Sequence, residues 1–66
     1  MKTNKIKMQI AMARAKMTSG KLSELTGLSR TSTGRMISGA ECKPHNVGIV
    51  AEALGVDVTE LIDTEK

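Results

Sequence analysis

Arg30 and Arg35 stand close in sequence to the hydroxyl side chains of Thr31 and Ser32. Arg30 and Arg35 can each donate two hydrogen bonds to guanine O6 and N7, a pairing worth about 1–3 kcal/mol of discrimination between bases. Thr31 can touch a thymine methyl group or a base acceptor, and Ser32 can reach a base edge or the sugar–phosphate backbone. These residue types suit recognition by hydrogen bonding. Arg30 is the leading candidate for a base contact, while Arg35 can serve a base or a phosphate.

Further hydroxyl and lysine side chains flank this stretch and could bind phosphates. The predicted phosphate contacts are Thr18, Ser19, Lys21, Ser29, Ser38 and Lys43. Backbone amides at the starts of two helices can add to them, because a helix N-terminus attracts anions. Thr18 and Ser29 also fit plain helix caps, and the two lysines fit an ordinary solvated surface equally well.

The elements that position these side chains are two short helices joined by a tight turn. Thr18 caps a helix predicted over 19–26, and Gly27 ends it because glycine adopts positive φ at little cost. Ser29 caps the next helix, which runs to Ser38 and stops at Gly39. The residues predicted to point inward from this unit are Leu22, Leu25, Leu28, Thr33, Met36 and Ile37. The pattern predicts a helix-turn-helix that reads DNA.

Three more helices are predicted around this unit. The first runs from Asn4 to Met17 and carries two competing apolar stripes, one containing Met8 and the other Ile6. In the fourth, Pro44 blocks continuation from the preceding loop, Asn46 is the cap and Leu54 the end. Asp57 and Glu60 form a capping box that opens a short fifth helix. The sequence thus predicts one compact all-α DNA-binding domain of five short helices spanning residues 1–66.

Charge is distributed unevenly along the 66 residues, whose net charge is +3. Residues 1–43 hold nine Lys or Arg against two Glu, whereas residues 44–66 hold five Asp or Glu against one Lys. The first two thirds can therefore face a polyanion while the remainder points away. The chain has no Phe, Tyr or Trp, so its core must come from aliphatic side chains and Met. The missing aromatics also disfavour RNA binding, which commonly stacks bases on aromatic rings.

Other chemistry finds little support in the sequence. His45 is the single histidine and has no obvious nucleophile beside it, so no enzyme is predicted. Cys42 and His45 are too few ligands for a structural zinc site, which needs four; no metal, cofactor or small-molecule ligand is expected. One cysteine allows no internal disulfide and suits a reducing cytoplasm. Apolar runs are too short to span a membrane, and the Lys-rich start lacks the apolar block of a signal peptide.

The chain resembles the phage repressor and Cro family of helix-turn-helix domains. The residues that carry the resemblance stand in the family's order from Met17 to Leu61: Met17-Thr18, Leu22, Gly27-Leu28-Ser29, Arg35-Met36, Gly39, Pro44, Ala53-Leu54-Gly55-Val56 and Glu60-Leu61. Some positions depart from it. Ser19 replaces a phosphate-fixing Gln, and Thr33 replaces a buried Ile or Val, so its hydroxyl needs a partner. Met12 and Ile37 replace an Arg–Glu pair, which predicts an apolar contact there.

The resemblance implies a transcription regulator that lays its third helix in the major groove of an operator. Repression and activation are both compatible with this chemistry. A palindromic operator implies a homodimer, weak until DNA is bound, and the predicted dimer patch is Val56, Val58, Leu61 and Ile62. Such a protein would be cytoplasmic and associated with the nucleoid. The alternative is an antitoxin-like or regulatory module whose main partner is a protein, as the apolar excess of the first helix would allow.

Overall fold

The computed structural model describes residues 1–63, which form four α-helices and one 3₁₀ turn. The helices are α1 (Lys5–Ala15), α2 (Ser19–Thr26), α3 (Arg30–Ser38) and α4 (Pro44–Leu54), and the 3₁₀ turn is Val58–Glu60. Helix α3 packs against α1 and α2, and α4 packs against α1, α2 and the 3₁₀ turn. The all-helical class is confirmed, but the predicted fifth helix is a single 3₁₀ turn.

The predicted caps of the first three helices are present. The side chains of Asn4, Thr18 and Ser29 accept hydrogen bonds from the backbone N–H of Lys7, Lys21 and Ser32, respectively, at 2.9, 3.2 and 3.1 Å. Each cap satisfies an amide that has no acceptor inside the helix. Gly27, Gly39 and Gly55 end their helices with positive φ. These boundaries follow from local chemistry, which is why the sequence predicts them well.

Two predicted boundaries are wrong. Helix α4 begins at Pro44, with Lys43 rather than Asn46 in the N-cap position and no side-chain cap. Proline fits the first helical position because its missing N–H would have no partner there in any case. Helix α1 ends at Ala15 instead of Met17, and Lys16 follows it in the left-handed region with φ 53°. The predicted capping box of Asp57 and Glu60 is present and opens the 3₁₀ turn.

The core contains the Met8 stripe of α1, whereas the stripe of Ile6 and Ile10 is exposed. Met8 and Ala11 are buried among the core residues, with Met12 and Ala15 packed beside them, whereas Ile6 and Ile10 are 66% and 53% exposed. The other core residues are Leu22, Met36, Val47, Val50, Ala51, Leu54 and Leu61. Leu28, Met12 and Ile37 are half-buried against this core.

The prediction that Leu25 points inward from α2 is wrong, because Leu25 is 57% exposed. The buried side of α2 is centred on Leu22 and turns toward Ser23 and Thr26, which are half-buried. Leu25 lies on the other flank of Leu22, because each residue advances about 100° around a helix. The buried side of α2 therefore includes the hydroxyls of Ser23 and Thr26 instead of the flank that carries Leu25.

Residues 1–4 form an extended strap between two distant parts of the chain. Lys2 pairs with Glu41 and Thr3 with Ile62 in isolated antiparallel bridges. The amide of Asn4 donates to Leu61 O at 2.7 Å, and that of Cys42 donates to Met1 O at 2.8 Å. The hydroxyl of buried Thr3 donates to the Met36 carbonyl. The strap thus joins the α3–α4 loop to the segment after the 3₁₀ turn.

Gly39→Ala should destabilise the domain by about 1–2 kcal/mol, because an L-residue is strained in the left-handed region. Gly39 has φ 84°, and an added Cβ would also lie 3.4 Å from Thr3 O on the strap. Gly48→Ala is the matched control: it lies within α4 with nothing within 4 Å of an added Cβ, so it should stabilise by up to about 1 kcal/mol. Urea unfolding measures both, and equal shifts of the two variants would contradict this account of Gly39.

The stability of the domain should depend on pH through Asp57. Hydrogen bonds from the backbone and side chain of Thr59 lower the pKa of the Asp57 carboxyl below its ordinary value. A lowered pKa in the folded state gives stabilisation that is present above the unfolded pKa and lost as pH falls through the folded one.

Asp57→Asn removes this titration while keeping a side-chain acceptor. The difference in Tm between wild type and Asp57→Asn should be constant at neutral pH and shrink below about pH 4. Thr59→Ala, which removes one donor, should weaken this pH dependence. Thermal unfolding at several pH values makes the comparison, and a difference that does not change in acid would exclude the contribution of Asp57.

Candidate nucleic-acid interface

Helix α3 presents one polar face to solvent and buries the opposite one. Thr33 and Met36 are buried on its inner side. The predicted base-contacting residues Arg30, Thr31 and Arg35 are all exposed, and Ser32 is half-buried at the edge of the face. A ligand can therefore reach the arginines without any change in the fold.

A pair of hydroxyl groups joins α2 to α3. Thr33 is fully buried, and its Oγ1 lies 2.9 Å from Ser23 Oγ across the two helices. The same hydroxyl lies 3.3 Å from Ser29 O and 3.2 Å from Arg30 O. The expectation that the Thr33 hydroxyl needs a partner is thus met. In the turn, Thr26 Oγ1 donates to Leu22 O at 2.7 Å and accepts from the Leu28 amide at 3.2 Å.

Arg30 extends across the first turn of α2. A Cβ atom added at Gly20 would lie 3.1 Å from Arg30 Nη2 and 3.6 Å from its Cζ. The missing side chain at Gly20 therefore gives the guanidinium room beside the N-terminus of α2, where backbone amides and the helix dipole favour anions. No sequence pattern marks Gly20 as a functional residue, because its contact with Arg30 exists only once α2 and α3 are packed together.

Arg35 is held by the loop that follows α3. Its Nε and Nη2 donate to the Glu41 carbonyl oxygen at 3.2 and 3.1 Å. The carboxyl of Glu41 accepts from the N-terminal ammonium group, which lowers its pKa by hydrogen bonding and by charge; Lys2 and Arg35 contribute smaller effects. Arg35 thus stands on the exposed face in a defined position instead of moving freely.

A hollow beside α3 brings in one more polar residue. Its lining includes Ser32, Arg35, Lys43 and Asn46. Asn46 was predicted as a helix cap, but because α4 begins at Pro44 it lies in the first turn of α4. It is half-buried beside the arginine face. Asn46 is therefore a candidate DNA contact instead of the helix cap that the sequence predicted. Placing the helix start at Pro44 would have found it.

The six predicted phosphate-contacting residues are all exposed. Thr18 and Ser29 serve as caps, so their oxygens already accept from backbone amides. The Ser38 hydroxyl donates to Arg35 O at 3.0 Å, and Lys21 Nζ lies 3.9 Å from a Glu24 carboxylate oxygen. Ser19 and Lys43 have no side-chain hydrogen bond or ion pair within residues 1–63. The structure therefore leaves a phosphate role open to all six residues.

The predicted dimer patch is smaller than expected. Val56, Val58 and Ile62 are half-buried and keep part of their surface in solvent. Leu61 is fully buried in the core of a single copy, so it has no surface to offer to a second copy. Three of the four predicted residues remain available.

Residues 1–63 contain neither a cluster of side chains that could hold a metal ion nor a helix that could cross a membrane. No group of three or more His, Cys, Asp or Glu side chains there is placed to hold a metal ion. The thiol of Cys42 lies 3.3 Å from Met1 O in the strap. Each helix in this part of the chain is too short or too polar to cross a membrane.

Comparison with known proteins gives one match. The family model described as Cro/C1-type HTH DNA-binding domain matches residues 7–66. No curated protein and no solved structure matches the chain. The match covers α1 from Lys7 onward, α2 to α4, the 3₁₀ turn and every residue of the candidate interface.

The two arginines should differ in their effect on the free protein. Arg35→Ala removes both hydrogen bonds to Glu41 O. Hydrogen bonds to charged groups contribute about 1.5–3 kcal/mol. Because these two are exposed to water, the free energy of unfolding should fall by only roughly 1 kcal/mol. Arg30→Ala should leave stability unchanged within about 0.5 kcal/mol, as is usual for surface substitutions. Denaturant unfolding without DNA measures both. Equal stability of the two variants would mean that the loop does not hold Arg35.

Proposed function

The chain belongs to the Cro/C1-type helix-turn-helix DNA-binding family, and from this premise we propose that it reads a palindromic operator as a homodimer, with α3 in the major groove. DNA binding and regulation of transcription follow from the family. The observation that supports the finer proposal is the outer face of α3, where Arg30 and Arg35 are exposed while Thr33 and Met36 anchor the inner side.

Arg30 is proposed as the principal base contact. It is the first residue of α3, and the N-terminal residues of a recognition helix are the ones that meet base edges. Its neighbour Thr31 is exposed and can contact a thymine methyl group. Arg35 lies farther along the same face and Ser32 at its edge, and both are proposed to contact bases or the adjacent backbone.

Phosphate binding is proposed around the starts of α2 and α3. Thr18, Ser19, Lys21 and Ser29 surround these two helix N-termini, and Ser38 and Lys43 flank the far end of α3. Phosphate contacts position the domain on the duplex without reading its sequence. Arg30 also lies beside the N-terminus of α2, so its share in phosphate binding has to be measured separately from base reading.

A two-fold dimer would double the bases that are read. Half-sites one helical turn apart place two recognition helices about 34 Å from one another. The described residues measure 33 Å in their longest dimension, so two copies side by side can span that distance. The proposed contact surface is Val56, Val58 and Ile62, a small patch that fits a dimer which forms mainly on DNA.

Selection from random duplex DNA tests the proposal. Wild type should recover a short palindrome, and Arg30→Ala should lose preference at one position of each half-site, a change of about ten-fold or more. Arg14→Ala is the matched control, because Arg14 lies on α1 and pairs with Glu60 at 3.2 Å, away from the α3 face. It removes the same charge and should keep the motif. Binding should weaken steeply with salt.

The other outcomes have distinct meanings. Uniform weakening by Arg30→Ala with an unchanged motif would move Arg30 from a base to a phosphate. Recovery of a single non-repeated half-site would contradict the dimer. Retention of DNA with no motif at any salt concentration would contradict operator reading and favour the antitoxin-like alternative, in which the main partner is a protein.

A further inference from the structure

The outer side of α1 carries an apolar row that the rest of the chain does not cover. Ile6 and Ile10 are 66% and 53% exposed, and Ala13 is exposed one turn further on. Their spacing of four and three residues puts them on one line along the helix. The row is about 10 Å long at 1.5 Å per residue. Met8 and Ala11 face the core from the opposite side of α1, so the row points away from α3 and α4.

Basic side chains border this row on both sides, but only one side is neutralised. On the side of the 3₁₀ turn, Lys7 lies 3.8 Å from Asp63 and Arg14 lies 3.2 Å from Glu60. On the other side stands Lys5, and Lys16 follows the C-terminal end of α1; both are exposed. Within residues 1–63 neither has a carboxylate within ion-pair distance. The row is therefore an apolar surface with one uncompensated positive edge.

A second copy of the chain has few carboxylates to offer to that edge. Glu24 pairs with Lys21, Glu41 with the N-terminal ammonium group, Glu60 with Arg14, and Asp63 with Lys7. Asp57 accepts two hydrogen bonds from Thr59. Among the acidic residues within 1–63, Glu52 is the one without an ion pair or a side-chain hydrogen bond. Two α1 helices facing each other would also bring lysines together, which costs free energy.

We propose that the row Ile6, Ile10 and Ala13 is a docking surface for an acidic amphipathic helix of another protein. Its apolar side would cover the two isoleucines, and its carboxylates would pair with Lys5 and Lys16. Docking of one helix on an exposed apolar stripe is a common mode of recognition. Because the row faces away from α3, the partner can be bound while the arginine face holds DNA. This surface is separate from the proposed operator reading and does not depend on it.

The probe for this surface is a synthetic helical peptide of about four turns, with leucines on one face and glutamates at its two flanks. A companion peptide carries lysines in place of the glutamates. The glutamate peptide should bind and shift the methyl signals of Ile6, Ile10 and Ala13 in NMR spectra. The lysine peptide should bind at least about ten-fold more weakly, since its charge repels Lys5 and Lys16.

Variants separate the surface from the general basic charge of the protein. Ile6→Ser with Ile10→Ser should weaken the glutamate peptide by about ten-fold or more, because apolar area buried in the complex is lost. Leu25→Ser is the matched control: Leu25 is similarly exposed, at 57%, but lies on α2. It should leave peptide binding unchanged, as should Arg30→Ala. Thermal unfolding should show that all these exposed positions tolerate substitution.

Four results would overturn the proposal. Equal binding of the two peptides would show that Lys5 and Lys16 do not select an acidic partner. Methyl shifts confined to Val56, Val58 and Ile62 would place the peptide on another surface. A change in the sedimentation of the protein alone with Ile6→Ser and Ile10→Ser would show that a second copy covers the row. Loss of DNA binding by this double variant, with Leu25→Ser unaffected, would place the row in the DNA-binding assembly. None of these results depends on whether a palindrome is recovered in the selection.

Discussion

One buried hydroxyl group, that of Thr33, links α3 to α2 within the helix-turn-helix. Thr33 is fully enclosed between α2 and α3, and a buried hydroxyl without a partner costs about 1–3 kcal/mol. Ser23 and the carbonyl groups of Ser29 and Arg30 supply its partners. The two carbonyl groups lie one turn back along α3 itself, whereas Ser23 stands on α2 and reaches Thr33 only while the two helices keep their present angle and separation. The Ser23–Thr33 contact therefore acts together with buried Leu22 and Met36 to keep the inner side of α3 against α2 and the arginine face in solvent.

The aliphatic core explains why the rest of the chain is tied together by polar contacts at its edges. With no aromatic side chain, the core relies on methionine and small aliphatic residues, which bury less area per residue than aromatic rings do. The strap of residues 1–4 adds backbone hydrogen bonds to both the α3–α4 loop and Leu61. Through that loop it reaches Glu41, whose carbonyl oxygen holds Arg35. The strap is thus connected to the core through Leu61 and to Arg35 through the α3–α4 loop.

Sequence reasoning succeeds here where the cause is local and fails where it is distant. Caps such as Thr18 and stops such as Gly39 depend on a few neighbouring residues, so their chemistry can be read directly. The stripe of α1 that enters the core, the exposure of Leu25 and the burial of Leu61 depend on which elements pack together. The gap at Gly20 that accommodates Arg30 likewise needs two helices in contact. The family match supports DNA binding, while the individual contacting residues stay predictions.

The strap also has a consequence for the order in which the protein can fold during its synthesis. Thr3 pairs with Ile62, and Asn4 donates to Leu61, so the backbone partners of Thr3 and Asn4 leave the ribosome much later than these two residues do. Helices α1 to α3 can form earlier, because their hydrogen bonds are local. The Thr3 and Asn4 backbone pairs, however, stay open to water until Leu61 and Ile62 have emerged. During that interval the nascent chain lacks its closed fold, and it is then most accessible to chaperones and proteases.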